Sequence, residues 1–284
     1  MKIGLIDHYL DNFHANNYPA WIHKESGGAI KVAYAYAEID SPKKDGMTTN
    51  EWCKQHGIQH LSSIEEVVEN SDAMIVLSPD NPERHEDLCR LPLQRGKPVY
   101  VDKTFAENKA AAQRIFAVAK AHNTPCYSSS ALRYGAEYCS LDRQQIEGLT
   151  SRGPGPLAEY TIHQVEPIVA LMGADVSRLQ FVGTEKWPAY VLEYRDGRRA
   201  KVSHHGWDCP FGMVADFSDG TSTAFNIESD FFNSFIRDLV EFFRTGKAKV
   251  PHDETIAVIA VIEAAVKASK AHNTGSNCGQ WITV

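Results

Sequence analysis

The sequence predicts an α/β fold in which a doubly wound parallel sheet is followed by an α+β domain with a mainly antiparallel sheet. Two observations predict it. Over the first 130 residues short apolar runs alternate with helical stretches, the pattern of parallel strands joined by crossover helices. Beyond them, two Asp-Gly turns, Asp196-Gly197 and Asp219-Gly220, sit between strand-like runs, and Asp-Gly supplies the positive φ of a tight antiparallel hairpin.

The parallel strands are expected at Lys2–Ile6, Ile30–Ala37, Ala73–Leu77, Pro98–Val101 and Pro125–Ser129. Thr48 with Glu51, Ser63 with Glu66 and Thr104 with Glu107 form capping-box patterns that open the intervening helices. After Thr104, Ala111, Ile115, Val118 and Ala119 recur at helical spacing until Asn123-Thr124-Pro125. Strands alternating with helices imply parallel pairing and right-handed crossovers. In the second part, Ala189–Tyr194 pairs with Arg199–His204, and Phe211–Phe217 with Thr221–Ile227. Little lies between Tyr138 and Glu159, so the first strand there is expected to be abbreviated. Phe232, Phe235, Ile236, Leu239, Val240 and Phe243 make an apolar helical stripe ending near Gly246, and a last helix runs from about Asp253 to His272.

A chain of 284 residues buries about three-quarters of its unfolded surface and needs no staples. The net charge of -7 argues against a nucleic-acid partner, which calls for a basic face. The apolar stretch Ile256–Val266 contains Glu263 and falls short of the ~20 residues a bilayer span needs. Met1-Lys2 leads straight into a strand-like run rather than a cleavable apolar region. Cys53, Cys89, Cys126, Cys139, Cys209 and Cys278 show no C-x-x-C spacing and read as reduced thiols. A cytoplasmic location is expected.

Ligands of an open parallel sheet bind beyond the carboxyl ends of its strands. The residues there are Asp7-His8, Glu38 and Asp40, Ser78-Pro79-Asp80-Asn81, Asp102-Lys103-Thr104, and Ser130 to Arg133. They suit a polar ligand, although loops are polar in any case. Within this rim, Gly96-Lys97-Pro98-Val99-Tyr100-Val101-Asp102-Lys103-Thr104-Phe105-Ala106 looks like a G-K-x-V-x-x-E-K-P-x-A signature. Ser71-Asp72-Ala73 through Ser78-Pro79-Asp80-Asn81 and His85 is similar to D-A-V-x-x-x-T-P-N…H. Tyr127–Arg133, Thr274-Gly275 and Trp281–Val284 also match. On these motifs the chain resembles the glucose–fructose oxidoreductase/inositol dehydrogenase/MocA family of two-domain, nicotinamide-dependent sugar and polyol dehydrogenases.

The resemblance implies a Rossmann-like nucleotide-binding domain at residues 1–130 and a substrate-binding and oligomerisation domain at 131–284. It implies NAD or NADP as cofactor, a small sugar, cyclitol or related polyol as substrate, and a homodimer or homotetramer. Asp7, His8, Glu38, Ser78, Pro79, Asn81, Asp102 and Lys103 would line the cofactor, and Lys103, Arg133, His163, Glu166 and His204 the substrate. Lys103 would orient the reacting hydroxyl. A helix starting at Thr104 would lower its pKa, with Asp102 opposing.

Glu159-Tyr160-Thr161-Ile162-His163-Gln164-Val165-Glu166 resembles the family's D-x-G-x-H-x-x-D element. In a helix, Glu159, His163 and Glu166 share one face, and a carboxylate beside the imidazole would prepare it to take a proton, with Glu159 supporting His163. Pro167 fits better in a helix's first turn, so this helix is expected to begin near His163. His204 and His205 point to opposite faces of a strand, so no metal is expected, and one of them would face the substrate.

The family's glycine-rich turn is replaced by Asp7-His8-Tyr9-Leu10-Asp11-Asn12. An aspartate ~5 Å from one phosphate charge, at an effective dielectric near 20, costs about 3 kcal/mol, so Asp7 is expected to weaken nucleotide binding. Glu38 at the second strand end suits NAD, while Lys43-Lys44 suit the 2′-phosphate of NADP, and the choice stays open. The leading function is a dehydrogenase acting on CH–OH groups. The alternatives are a non-catalytic ligand-binding or regulatory protein of the same fold, and redox-assisted elimination or epimerisation with a retained cofactor.

Overall fold

The computed structural model describes residues 1–274 and 279–284. Gly275 of the terminal motif and Cys278 lie outside the described residues. The chain divides into two compact units, Met1–Ser129 with Asn233–His252, and Ser130–Phe232 with Asp253–Val284.

The first unit alternates β1 (Lys2–Asp7), α1 (Phe13–Glu25), β2 (Lys31–Ala37), α2 (Thr49–His56), β3 (Gln59–His60), α3 (Ile64–Asn70), β4 (Ala73–Val76), α4 (His85–Arg90), β5 (Val99–Val101), α5 (Lys109–Ala121) and β6 (Cys126–Tyr127). Its sheet runs in the order β3-β2-β1-β4-β5-β6, and every pair is parallel. This is the strand order of a Rossmann-like sheet. β4 and β5 are buried at every residue, as strands covered on both faces must be, which is why they read as unbroken apolar runs. Gly4 of β1 is required by a neighbour: a Cβ there would lie 2.3 Å from Val67 of α3.

The caps fall partly as expected. Thr48 and Glu51 close a reciprocal capping box. Ser63 caps α3, but Glu66 reaches back to Ser62 instead. The helix expected after Thr104 starts later, because Asn108 accepts from the Ala111 amide and is the true cap.

The second unit carries α6 (Ala136–Cys139), β7 (Ile146–Pro154), α7 (Leu157–Met172), β8 (Val176–Phe181), β9 (Ala189–Tyr194), β10 (Arg199–His205), β11 (Gly212–Phe217) and β12 (Ser222–Asn226). After α8 (Phe231–Thr245), α9 (His252–Asn273) and β13 (Trp281–Thr283) close the chain. Both Asp-Gly hairpins form, β9–β10 and β11–β12. The sheet order is β12-β11-β7-β10-β9-β8-β13, antiparallel except where β7 runs parallel to β10.

Three expectations give way here. β7 is not abbreviated but a nine-residue central strand; its sequence, rich in Gly, Ser, Thr and Arg, hides the apolar alternation. α7 starts at Leu157 and carries Pro167 in its interior. A continuous buried face from Thr161 to Met172 outweighs the local cost of a proline. Most of α8 gathers with the first unit, where Phe235 packs on Tyr18 and Tyr100, and Phe242 on Tyr127. The boundary read from sequence had placed it in the second.

Candidate functional site

In the first unit the rim is organised around Lys103. β5 ends in the fully buried Asp102. His14 Nδ1 donates to its Oδ2 at 2.5 Å, and the Tyr100 hydroxyl donates to Oδ1 at 3.2 Å. Burial alone would raise the Asp102 carboxyl; His14, with Lys103 and His85 adding, outweighs it and holds the group below its ordinary value. The Ser128 hydroxyl donates to the Asp102 carbonyl at 3.2 Å. On the other side, His85 Nδ1 donates to the carbonyls of Thr104 and Phe105 at 3.0 and 3.1 Å. The backbone on both sides of Lys103 is therefore tied to buried side chains, and its half-buried ammonium donates to the Pro79 carbonyl at 3.4 Å. α5 begins at Lys109, so the helix expected to start right after Lys103 starts further along the chain.

Glu38 is already engaged. Arg84 donates to both its oxygens, at 2.6 and 3.0 Å, and His8 Nδ1 donates to Oε2 at 2.8 Å. Arg84 first, and His8 with it, hold the carboxyl below the usual range. Ser78, Pro79 and Asn81 form a tight loop in which the Ser78 hydroxyl donates to the Asn81 carbonyl at 2.9 Å.

The turn after β1 departs from the expectation that Asp7 faces a phosphate. Asp7 is fully buried, and its carboxylate accepts from the His8 amide at 2.7 Å and from Asn12 Nδ2 at 2.8 Å. Burial pushes this carboxyl well above its ordinary value, with Asn12 and the His8 amide opposing. Asn12 also caps α1 through the Ala15 amide at 3.0 Å, and the Tyr9 hydroxyl donates to Asp80 at 2.5 Å. Tyr9, Leu10 and Asn12 are each buried to at least 93%. Asp7 serves the turn itself.

In the second unit His163 lies on α7, half-buried. Its Nδ1 shares a 2.8 Å hydrogen bond with the Ser130 hydroxyl. Glu159 is exposed and makes no hydrogen bond or ion pair with it, so the expected carboxylate support is replaced by serine. Aromatic rings surround the imidazole: Tyr160 edge-on at 5.4 Å and Phe211 at 5.8 Å, with Trp207 edge-on to Tyr160 at 4.8 Å. Two glycines make the room. A Cβ on Gly155 or Gly153 would lie 2.6 Å from the Tyr160 or Phe211 ring.

Three further residues read as substrate contacts have structural partners. Arg133 donates to the buried Glu166 at 3.2 Å and to Glu254 at 2.5 Å, so both Arg133 and Glu166 are committed to a buried ion network. His204 is 1% exposed; its Nε2 pairs with the Thr161 hydroxyl at 2.7 Å and its Nδ1 donates to the Gly155 carbonyl at 3.1 Å. Burial lowers its pKa to about 4, which keeps it neutral. Among the described residues no cluster of three or more His, Cys, Asp or Glu could hold a metal ion.

His8 and Glu38 are brought together, as are Arg133 and Glu166, and Lys103 and Pro79. Lys103 and His163 belong to different units. The sequence missed His14, Arg84 and Trp207, offered Tyr160, Ser130 and His85 only as members of motifs, and offered Phe211 only as a strand end. The proline- and glycine-rich Gly153–Pro156, shortly before Tyr160, was the one local signal for the ring cluster.

A model of the Gfo/Idh/MocA oxidoreductase family, described as having an NAD-binding Rossmann fold, matches residues 12–129 and so begins at the last residue of the altered turn. No curated protein matches the sequence. A probable dehydrogenase from Thermotoga maritima is similar over 100% of this chain and 98% of its own, at a TM-score of 0.78 and 14% identity. Myo-inositol 2-dehydrogenase from Lactobacillus plantarum is similar over 100% and 99%, at 0.76 and 15%. A protein of gentamicin A biosynthesis in complex with NAD is similar over 100% and 96%, at 0.73 and 14%. At these identities the likeness shows the fold. Among the described residues no helix is long and apolar enough to cross a membrane.

Proposed function

We propose, for a chain whose residues 12–129 match a model of the Gfo/Idh/MocA oxidoreductase family, a dehydrogenase that acts on a CH–OH group of a sugar, cyclitol or related polyol with NAD or NADP. The observation that carries this reading is Lys103, held at the rim of the parallel sheet by ties on both sides of its backbone. A group held this way is preorganised to orient a substrate hydroxyl. His163 supplies the second function, a half-buried imidazole whose Nδ1 is engaged by Ser130. The Ser130 bond sets the ring's orientation, and an imidazole held this way can accept the hydroxyl proton.

The residues after β1 do not fit a dinucleotide pyrophosphate as a glycine-rich turn does. Tyr9, Leu10 and Asn12 fill that turn, and Asn12 already caps α1. A nicotinamide, when bound, would supply the hydride acceptor, and the geometry of this chain carries only the hydroxyl and proton part of the reaction. The filled turn favours a second reading, a ligand-binding or regulatory protein of the same fold. Fluorescence titration with NADH and NADPH separates the two. Binding, together with nicotinamide reduction in the presence of a cyclic polyol, is expected. No binding of either nucleotide at millimolar concentration would sink the dehydrogenase reading.

A further inference from the structure

Trp207 is 68% exposed, more than any other large apolar side chain among the described residues. Single exposed apolar residues are ordinary, but this one stands in a built environment within the second unit. It walls a cavity of about 540 Å³ together with His205, Glu185, Lys186 and Lys270. That volume lies within the range of small-molecule sites. The two lysines outnumber the single carboxylate of Glu185 among these walls. Trp207 also meets Tyr160, and Tyr160 meets His163, so the indole lies within about 10 Å of the imidazole.

We infer that this cavity is a saccharide subsite for a pyranose bearing an anionic group, its ring laid on Trp207 and its charge met by Lys186 and Lys270. A pyranose presents a flat array of C–H bonds on one face and hydroxyls at its edge. An exposed indole offers a rigid apolar surface to that face and loses little side-chain freedom in doing so. An acyclic polyol cannot present the same flat face without freezing several torsions. Two ammonium groups at the cavity wall attract a carboxylate or a phosphate alike. The inference deepens the dehydrogenase reading and rests on it for the chemistry at His163, but the binding itself does not depend on it.

Calorimetric titration with D-glucuronate, glucose 6-phosphate, methyl glucoside and sorbitol tests it, with no nucleotide present. At least one of the two acidic sugars should bind tenfold or more tightly than methyl glucoside, and sorbitol least of all; the better acid identifies the anion. Trp207→Ala should weaken the acidic sugar by about tenfold, and Trp207→Phe should restore part of that. Lys186→Ala with Lys270→Ala should erase the preference for acid over methyl glucoside. The inference is overturned if neither acid binds at millimolar concentration, if methyl glucoside matches them, or if Trp207→Ala keeps full affinity. Binding without any nicotinamide reduction would leave the subsite standing and remove the dehydrogenase. Turnover of acidic sugars that is indifferent to Trp207 would do the reverse.

Discussion

Two strand-to-helix connections, one in each unit, solve the same geometric problem in opposite ways. Between β1 and α1 the chain runs through residues 7–12 without a glycine, and its own side chains fill the space: Asp7, Tyr9, Leu10 and Asn12 are all buried. Between β7 and α7 it runs through Gly153-Pro154-Gly155-Pro156, and the missing Cβ atoms leave room for the rings of Tyr160 and Phe211 beside His163. The first connection hydrogen-bonds to itself, through Asp7 to Asn12 and Asn12 to Ala15. The second lends its space to neighbours. A glycine at such a turn is thus a decision about what else may approach the backbone.

The largest expected effect tests the open connection and the rim together. Once a substrate is in hand, His163→Ala and Lys103→Ala should each lower the rate by roughly 10²–10⁴, and the double variant should lose less than the product of the two. Full activity in either single variant would remove that residue from the chemistry.

Arg133 comes next. Arg133→Met removes the guanidinium that pairs with the buried Glu166 and with Glu254 and should cost about 3–5 kcal/mol in urea unfolding. A stable Arg133→Met that fails only in substrate binding would return Arg133 to the ligand-contacting set.

His204 gives the second unit a pH dependence. Burial lowers its pKa from the ordinary 6.5 to about 4 on folding, so the unfolded chain binds the extra proton between those values. The stability it contributes is full above pH 6.5, is lost as pH falls, and is gone below about 4. That interval corresponds to about 3 kcal/mol. Urea midpoints followed from pH 7 to 4 should show the loss, and His204→Gln should flatten it.

The smallest effects set the two turns directly against each other. Asn12→Ala removes the cap of α1 and should cost about 1–2 kcal/mol. Asp7→Gly should not tighten nucleotide binding, because Tyr9 and Leu10 still fill the turn. A clear gain of affinity in Asp7→Gly would mean that the carboxylate, and not the filling, is what keeps a phosphate out.

Much of the first unit was readable in advance. Its strands announce themselves as apolar runs because burial on both faces demands it, and Lys103 follows one of them inside a recognisable motif. The hairpins of the second unit were equally open to reading, since Asp-Gly turns act locally. β7 was not, because a strand of Gly, Ser, Thr and Arg owes its place to the neighbours on either side.

By itself, then, the sequence determined the alternation of the first unit, the two hairpins, and the positions of Lys103 and His163 in the chain. These depend on periodicity and turn chemistry, which act over a few residues. Only the tertiary structure decided which polar groups remain available. Glu38 is held by Arg84, 46 residues away, and His163 by Ser130, 33 residues away. Arg133 is held by Glu254, 121 residues away. A charged side chain takes whichever partner packing brings to it once water is excluded, because a buried charge without one is too costly to keep. That choice is made in space, between residues whose order along the chain does not record it.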